Sequence, residues 1–222
     1  EQSKAVLAAF RVPVAQGRFA ASADEAVRAA QAIGHPVVLK IASPDISHKS
    51  DVGGVRLKLA NDQEVRGAFA AMLDKARQLR PDAQIDGVTV EPMVARPQGR
   101  ELMIGILRDP VFGPAITFGA GGTSVEVWRD RSVALPPLSA ALAQDMIAHT
   151  RVARLLAEFR GMPAADHQAI ESALLRVSEM ACELPQLREL DINPLVADGA
   201  GVMALDARID RKSTRLNSSH GY

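Results

Sequence analysis

The sequence predicts an α+β fold, and three observations carry that prediction. Helix-start signals at Ser22–Glu25 and Asn61–Glu64 stand directly before apolar residues at helical spacing. Short apolar or alternating runs bounded by turn residues lie between those helices and recur over 86–128. After the first lobe the order is blockwise, strands, then helices, then strands, which argues against the regular alternation of a parallel α/β sheet.

Taken in order, Ser3–Phe10 reads as a short helix and Val12–Val14 as an extended segment. The Ser22 oxygen is placed to accept from the first turn of a helix running to about Ile33, with Glu25 reaching back and Gly34 stopping it. Val37–Ile41 is a strand of apolar residues around one lysine, and Val55–Leu59 alternates cleanly. From Asn61 a second helix carries Val65, Phe69, Met72, Leu73 and Ala76 on one face, with Pro81 beyond its end. Strands are expected at Asp86–Val94, Glu101–Leu107, Ala115–Phe118 and Ser124–Trp128, separated by turn signals such as Pro97–Gly99 and Asp109–Pro110. Helices follow over Ala140–Ile147, Val152–Phe159 and Ala165–Leu184, and three short strands at Leu187–Leu190, Leu195–Val196 and Val202–Leu205 close the chain. The expected organisation is one domain over 1–210, with a small lobe at about 12–90, the remainder forming a large lobe, and a cleft between them. Residues 211–222 abandon the upstream periodicity and resemble adapter-derived sequence; they are expected to be a non-native or disordered tail.

Composition narrows the partners. Lysine plus arginine equals aspartate plus glutamate at 26 each, so no net field draws the chain to nucleic acid or an anionic membrane. The single Cys182 excludes an internal disulfide and a multi-cysteine zinc site. No apolar run is long enough to span a bilayer and no hydrophobic leader is seen, so a cytoplasmic location is expected. The chain opens on Glu1 and is read as part of a longer polypeptide.

The chemistry-bearing stretch is 36–55. Lys40 sits within an apolar strand with no neutralising charge nearby in sequence, and such a lysine favours an anion. The following loop carries His48, Lys49, Ser50, Gly53 and Gly54, where the lack of Cβ lets backbone N–H groups approach phosphate oxygens. A strand lysine reaching solvent before an ordinary turn is the alternative for either piece alone. A second constellation is Asn193, in Asp191–Leu195, with Asp206. Neutral and anionic oxygens near adjacent strand ends suit one divalent cation, and magnesium takes few protein ligands beside phosphate and water. An Asx turn before Pro194 and a solvated aspartate explain the same residues without a metal.

Six ordered motifs resemble the ATP-grasp domain of ADP-forming acyl-CoA synthetases, relatives of the succinyl-CoA synthetase β subunit. They are Pro36–Lys40, His48–Val55, Val90–Val94, Asp109–Pro114, Gly119–Gly122 and Leu190–Leu195, and the likeness runs from about 3 to 210. It implies two α+β lobes clasping a nucleotide between antiparallel sheets, with ATP or ADP and Mg2+ bound. It also implies that Lys40 contacts phosphate, with Lys49, Gly53 and Gly54 beside it. Glu91, Met93 and Val94 would form the inter-lobe hinge, its backbone reading the adenine edge while Met93 packs on the ring. Glu101 would reach the ribose or adenine side, Gly119–Gly122 would line the phosphate end, and Asn193 with Asp206 would hold magnesium. His48 would relay phosphate from a first phosphohistidine to ADP, chemistry suited to an imidazole that is nucleophilic near neutral pH.

The same resemblance implies a partner, a CoA-binding domain or α subunit carrying the first phosphohistidine. The domain is also similar to the ligase-like part of large bacterial protein lysine acetyltransferases. The alternative expectation is therefore a degenerate nucleotide- or ligand-sensing module, with an acetyltransferase domain in the same polypeptide.

Overall fold

The computed structural model describes residues 2–46, 49–122, 130–158 and 161–211. The chain divides into two compact units, one over 15–95 and the other formed by 2–14 together with the chain from Arg96 onward.

The first unit is a four-stranded antiparallel sheet with two helices. In chain order these are β1 (Arg18–Ala20), α2 (Ala23–Ile33), β2 (Val37–Ala42), β3 (Val55–Leu59), α3 (Asp62–Leu79) and β4 (Gly87–Pro92), α1 (Gln2–Ala9) belonging to the second unit. The strand order is β1-β4-β2-β3. Both helices begin where the capping signals place them. Glu25 N–H donates to Ser22 Oγ at 3.3 Å while Glu25 Oε2 accepts from Ala21 N–H, and Glu64 N–H donates to Asn61 Oδ1 at 2.9 Å. Val65, Phe69, Met72, Leu73 and Ala76 of α3 pack with Val37, Leu39 and Ile41 of β2 and with Val88 and Val90 of β4 in one apolar core. Each large side chain fully buried there contributes about 1.5 to 3 kcal/mol.

The second unit is built on a six-stranded antiparallel sheet. Its strands are β5 (Arg100–Asp109), β6 (Gly113–Ala120), β7 (Arg131–Ala134), β8 (Leu187–Asp198), β9 (Gly201–Ala204) and β10 (Ala207–Arg211). The order is β10-β8-β5-β6-β7, with β9 paired to β8. Helices α4 (Ala140–Ala148), α5 (Ala153–Leu156) and α6 (His167–Glu183) lie between β7 and β8 in sequence. With α1 they cover one face, through Leu7, Met146, Ile147, Leu156, Ile170, Leu174 and Val177 against Leu102, Ile104, Ile106, Ile116 and Phe118.

Several elements differ from the expectation. The strands at 187–190 and 195–196 are one continuous β8, because Asn193 and Pro194 form a bulge where a break was expected. Leu102 pairs with Leu195 and Ile104 with Ile192, so two residues of β8 oppose the single Met103 of β5. β1, β7 and β10 were not expected. All are short, and three of the five residues of β10 are charged, so none carries enough apolar residues to mark a strand in sequence. β10 carries regular structure through Arg211, one residue into the stretch expected to be unpacked. α5 is only four residues, its last at Leu156. The strand expected at Ser124–Trp128 lies outside the described residues.

Candidate functional site

In the first unit, β2 presents Val37, Leu39 and Ile41 to the helices, which leaves Lys40 on the opposite face. β4 does the same with Val88 and Val90, leaving Thr89 and Glu91 beside the lysine. The register pairs Lys40 with Thr89 and Val38 with Glu91, so Lys40 and Glu91 are diagonal neighbours. Lys40 Nζ donates to Glu91 Oε2 at 2.9 Å, with side chains only 13% and 4% exposed. The lysine that is isolated in sequence is thus an ion-pair partner of a carboxylate 51 residues away. That corrects the expectation of an uncompensated cation, and Thr89 directly opposite is a site residue that the sequence reading missed.

The loop after β2 resumes as a 3₁₀ turn, Lys49–Val52. Gly53 N–H donates to the Ser50 carbonyl at 3.0 Å and Gly54 N–H to the Lys49 carbonyl at 2.7 Å. Both amides donate within the turn, so a phosphate here would meet other backbone groups of the segment. The glycines serve close packing. Gly53 has φ +63, and a Cβ there would meet the end of the Lys75 side chain, while a Cβ on Gly54 would collide with Ile41 and the Lys49 carbonyl. Lys75, from α3, is the basic group that lies over this turn, and its distance in sequence hid it. His48 lies outside the described residues.

At the end of β4, Met93 N–H donates to the Pro36 carbonyl at 3.1 Å. That amide continues the β2–β4 pairing, so a base edge would have to be read by other backbone groups of the segment. Met93 and Val94 are half-buried, immediately before the chain leaves the unit at Ala95.

In the second unit the polar groups gather on the sheet face away from the helices. Leu190, Ile192 and Leu195 of β8 enter the core, while Glu189, Asp191 and Asn193 alternate with them on the other side. The bulge at Asn193–Pro194 re-aims the asparagine. Its N–H donates to the Asp206 carbonyl at 3.3 Å, and Leu205 N–H donates to the Pro194 carbonyl at 3.0 Å. These bonds set Asn193 beside Asp206, in the link from β9 to β10. Asn193 Oδ1 accepts from Gly122 N–H at 2.8 Å, and Asp206 Oδ1 accepts from Ala207 N–H at 3.0 Å. Amide and carboxylate oxygens of this kind can each accept more than one partner.

Glu101 completes this edge. Its carbonyl accepts from Gly121 N–H at 2.8 Å, and its carboxylate lies where a Cβ on Gly122 would be. The glycine segment thus works by close approach: Gly119 meets the Asp130 backbone, Gly121 the Leu102 backbone and Gly122 the Glu101 side chain. Asp191 was not selected from the sequence, although its spacing of two from Asn193 on a strand was a usable signal. Burial, the first cause, and the charges of Glu189 and Asp206 push its carboxyl above the ordinary value, opposed by Arg131 and Arg208. Arg208 is its direct cross-strand partner.

The donor set fits magnesium. Asp206 supplies one hard anionic oxygen and Asn193 one neutral oxygen on adjoining chain segments, and Asp191 adds nearby negative charge. Among the described residues no cluster of three or more His, Cys, Asp or Glu forms an all-protein cage. Magnesium suits such a sparse set because it keeps water and takes substrate phosphate oxygens.

The chain belongs to the ATP-grasp domain family, which it matches over residues 1–210. Its two antiparallel sheets and flanking helices are that α+β fold. Within the family it is similar to the beta subunit of ADP-forming acetate–CoA ligase I of Pyrococcus furiosus, 40% identical over 208 residues, which are 94% of this chain and 89% of that one. It also resembles the solved acetyl-coenzyme A synthetase 1 of Ca. Korarchaeum cryptofilum in complex with coenzyme A, Ca-AMPCP and HgCl+. There the TM-score is 0.91 at 41% identity, covering 95% of this chain and 91% of that one. A second structure of that synthetase contains coenzyme A and Mg-AMPPCP, with its phosphohistidine segment pointing towards the nucleotide binding site. It matches with a TM-score of 0.81 and 38% identity, over 95% of this chain and 91% of that one. In longer CoA ligases the matching region spans only 29% to 30% of the relative.

Proposed function

We propose that this chain is the nucleotide-binding part of an ADP-forming acid–CoA ligase, binding ATP or ADP with Mg2+ and exchanging a phosphoryl group between nucleotide and His48. The observation that carries the reading is the backbone pairing that sets Asn193 beside Asp206 at a β-bulge, a neutral and an anionic oxygen donor of the kind that suits a phosphate-bound cation. The nucleotide analogues in the Korarchaeum structures support it, one with calcium and one with magnesium. The relatives named above are CoA ligases and synthetases, which favours this reading over a sensing module.

Asn193 and Asp206 would hold the ion, which when bound neutralises phosphate charge and orients the nucleotide. Lys40 supplies a cation to phosphate, and Glu91 holds that ammonium in one position. An ammonium has three N–H donors, and the Glu91 bond uses one of them. Glu91, Met93 and Val94 are assigned to the adenine side, with the Met93 side chain rather than its N–H making contact, and Glu101 to the ribose or adenine edge. Lys49 adds positive charge beside His48 in sequence, while Gly53 and Gly54 shape the turn that begins at Lys49. In the transfer step the bond from phosphorus to the His48 ring nitrogen breaks and a bond to a terminal oxygen of ADP forms. The imidazole takes back the electron pair and is left neutral. A CoA-binding component with the first phosphohistidine, on an α subunit or in the same polypeptide, supplies the other half of the reaction.

Calorimetric titration of Mg-ATP into the chain tests the reading. Wild type is expected to bind with a requirement for Mg2+, and Asp206→Asn and Asn193→Leu to weaken binding about 100-fold. ATP affinity unchanged by EDTA, or by Asp206→Asn, would sink it.

A further inference from the structure

The motif Asp109–Pro114 is given no role in the nucleotide reading above, and its structure is the reverse of an ordinary solvated turn. It forms the tip between β5 and β6. Asp109 Oδ1 accepts from Val111 N–H at 2.7 Å and Phe112 N–H at 2.9 Å, bonds that hold its carboxyl below the ordinary value. Arg108 donates from Nε to the Leu187 carbonyl at 3.0 Å and from Nη2 to the Ala181 carbonyl at 3.3 Å. Gly113, at φ +78, turns the chain into β6. The charged side chains are thus engaged with the backbone, while the outward residues are apolar: Val111 is 82% exposed and Phe112 73%. A tip adapted to water carries polar residues outward. The apolar character continues along the same end of the sheet, where Leu107 of β5 pairs with Ala115 of β6 and Val133 of β7 pairs with Thr117 of β6. Leu107, Leu135 and Val133 are each more than half exposed.

We infer that this hairpin tip is a docking plug for the CoA-binding component, with Phe112 seated in an apolar pocket of that partner. The inference rests on the ligase reading above. An aromatic ring on a turn already fixed by hydrogen bonds loses little freedom on binding, which is the character of an interface anchor. The tip is convex, so it needs a concave acceptor. Two copies meeting tip to tip would leave both rings wet, and a head-to-tail contact between copies would build open chains. The domain's relatives include both a separate beta subunit, 89% covered, and longer ligases in which it is 29% to 30% of the length. A non-covalent surface therefore has to hold it to the remaining machinery when no linker does. With 26 basic and 26 acidic residues there is no net charge to drive that contact, and apolar burial is left to carry it.

The test uses the whole chain and the CoA-binding component expressed separately, with affinity measured by calorimetry. Phe112→Ala is expected to weaken assembly about 10-fold or more, and Val111→Ser with Phe112→Ser about 100-fold. Both side chains are exposed, so thermal stability and Mg-ATP affinity of the isolated variants should match wild type, and Leu79→Ser, an exposed apolar control on α3, should assemble normally. Wild-type assembly by the doubly substituted chain would overturn the inference. So would sedimentation showing that wild type self-associates through the tip, since a second copy would then be the occupant. Assembly lost on tip substitution in a chain that never binds Mg-ATP would sustain the docking surface and sink the nucleotide reading.

Discussion

The Lys40–Glu91 pair yields the sharpest energetic prediction. At 2.9 Å the attraction of two unit charges is about 6 kcal/mol with an effective dielectric of about 20, before desolvation is subtracted. Desolvation is substantial because Glu91 is 4% and Lys40 13% exposed. The net value of the pair is therefore small, whereas the cost of breaking it is large. Lys40→Met leaves a buried carboxylate without that cation and should destabilise the first unit by about 3 to 5 kcal/mol. Glu91→Met, leaving the ammonium, should cost somewhat less because Lys40 is the more exposed partner. The double substitution should return to within about 1 kcal/mol of wild type, which makes the coupling about 4 kcal/mol or more. Native-state hydrogen exchange of β2 and β4 amides reads the local stability without requiring both units to unfold together. Nucleotide affinity should separate from stability: the double variant regains protection but not Mg-ATP binding, since Lys40 is absent. Additive effects of the two single substitutions, with coupling below about 0.5 kcal/mol, would refute the reasoning.

Two further predictions concern the second unit and pH. Gly122→Ala would meet the Glu101 carboxylate at φ +74 and pull the N–H from Asn193, so it should lose Mg-ATP affinity. Gly161→Ala, at φ +79 with nothing within 4 Å, should cost only about 1 kcal/mol of backbone strain and bind normally; equal affinities by calorimetry would refute the difference. Asp62 is held below the ordinary carboxylate value by hydrogen bonds, first from His35 and then from Gln31, as Asp109 is by Phe112 and Val111. Each folded value lies below the unfolded one, so their stabilisation is complete above about pH 4 and is lost as pH falls through the folded value. The stability gap between wild type and Asp62→Asn or Asp109→Asn, followed by urea unfolding, should close on acidification; a gap independent of pH would contradict the assignment.

What the sequence made legible was local. Ser22 and Asn61 fixed two helix starts because a cap and its glutamate lie within one turn, and Val37–Ile41 showed its strand because the apolar run is local as well. Lys40 did not reveal Glu91, since only the β2–β4 register brings them together. Pro194 read as a strand break because proline removes a ladder donor, and the bulge that absorbs it depends on β5. The glycines at 53, 54, 119, 121 and 122 looked like ligand-facing positions, yet their immediate reason is close approach by Lys75, Ile41, Asp130, Leu102 and Glu101. Asp191 sat in plain view within the Asp191–Asn193 pattern, but its coupling to Asp206 and Arg208 exists only once β8 and β10 pair.

In the proposed reaction His48 carries phosphate between the nucleotide and the rest of a ligase. The direct measurement supplies the CoA-binding component, labels the assembled protein with γ-labelled ATP and Mg2+, and locates acid-labile phosphate by peptide mapping. Label on His48 that is chased by ADP is expected, with its loss in His48→Ala while Mg-ATP binding is retained. Equal labelling of wild type and His48→Ala would contradict this role.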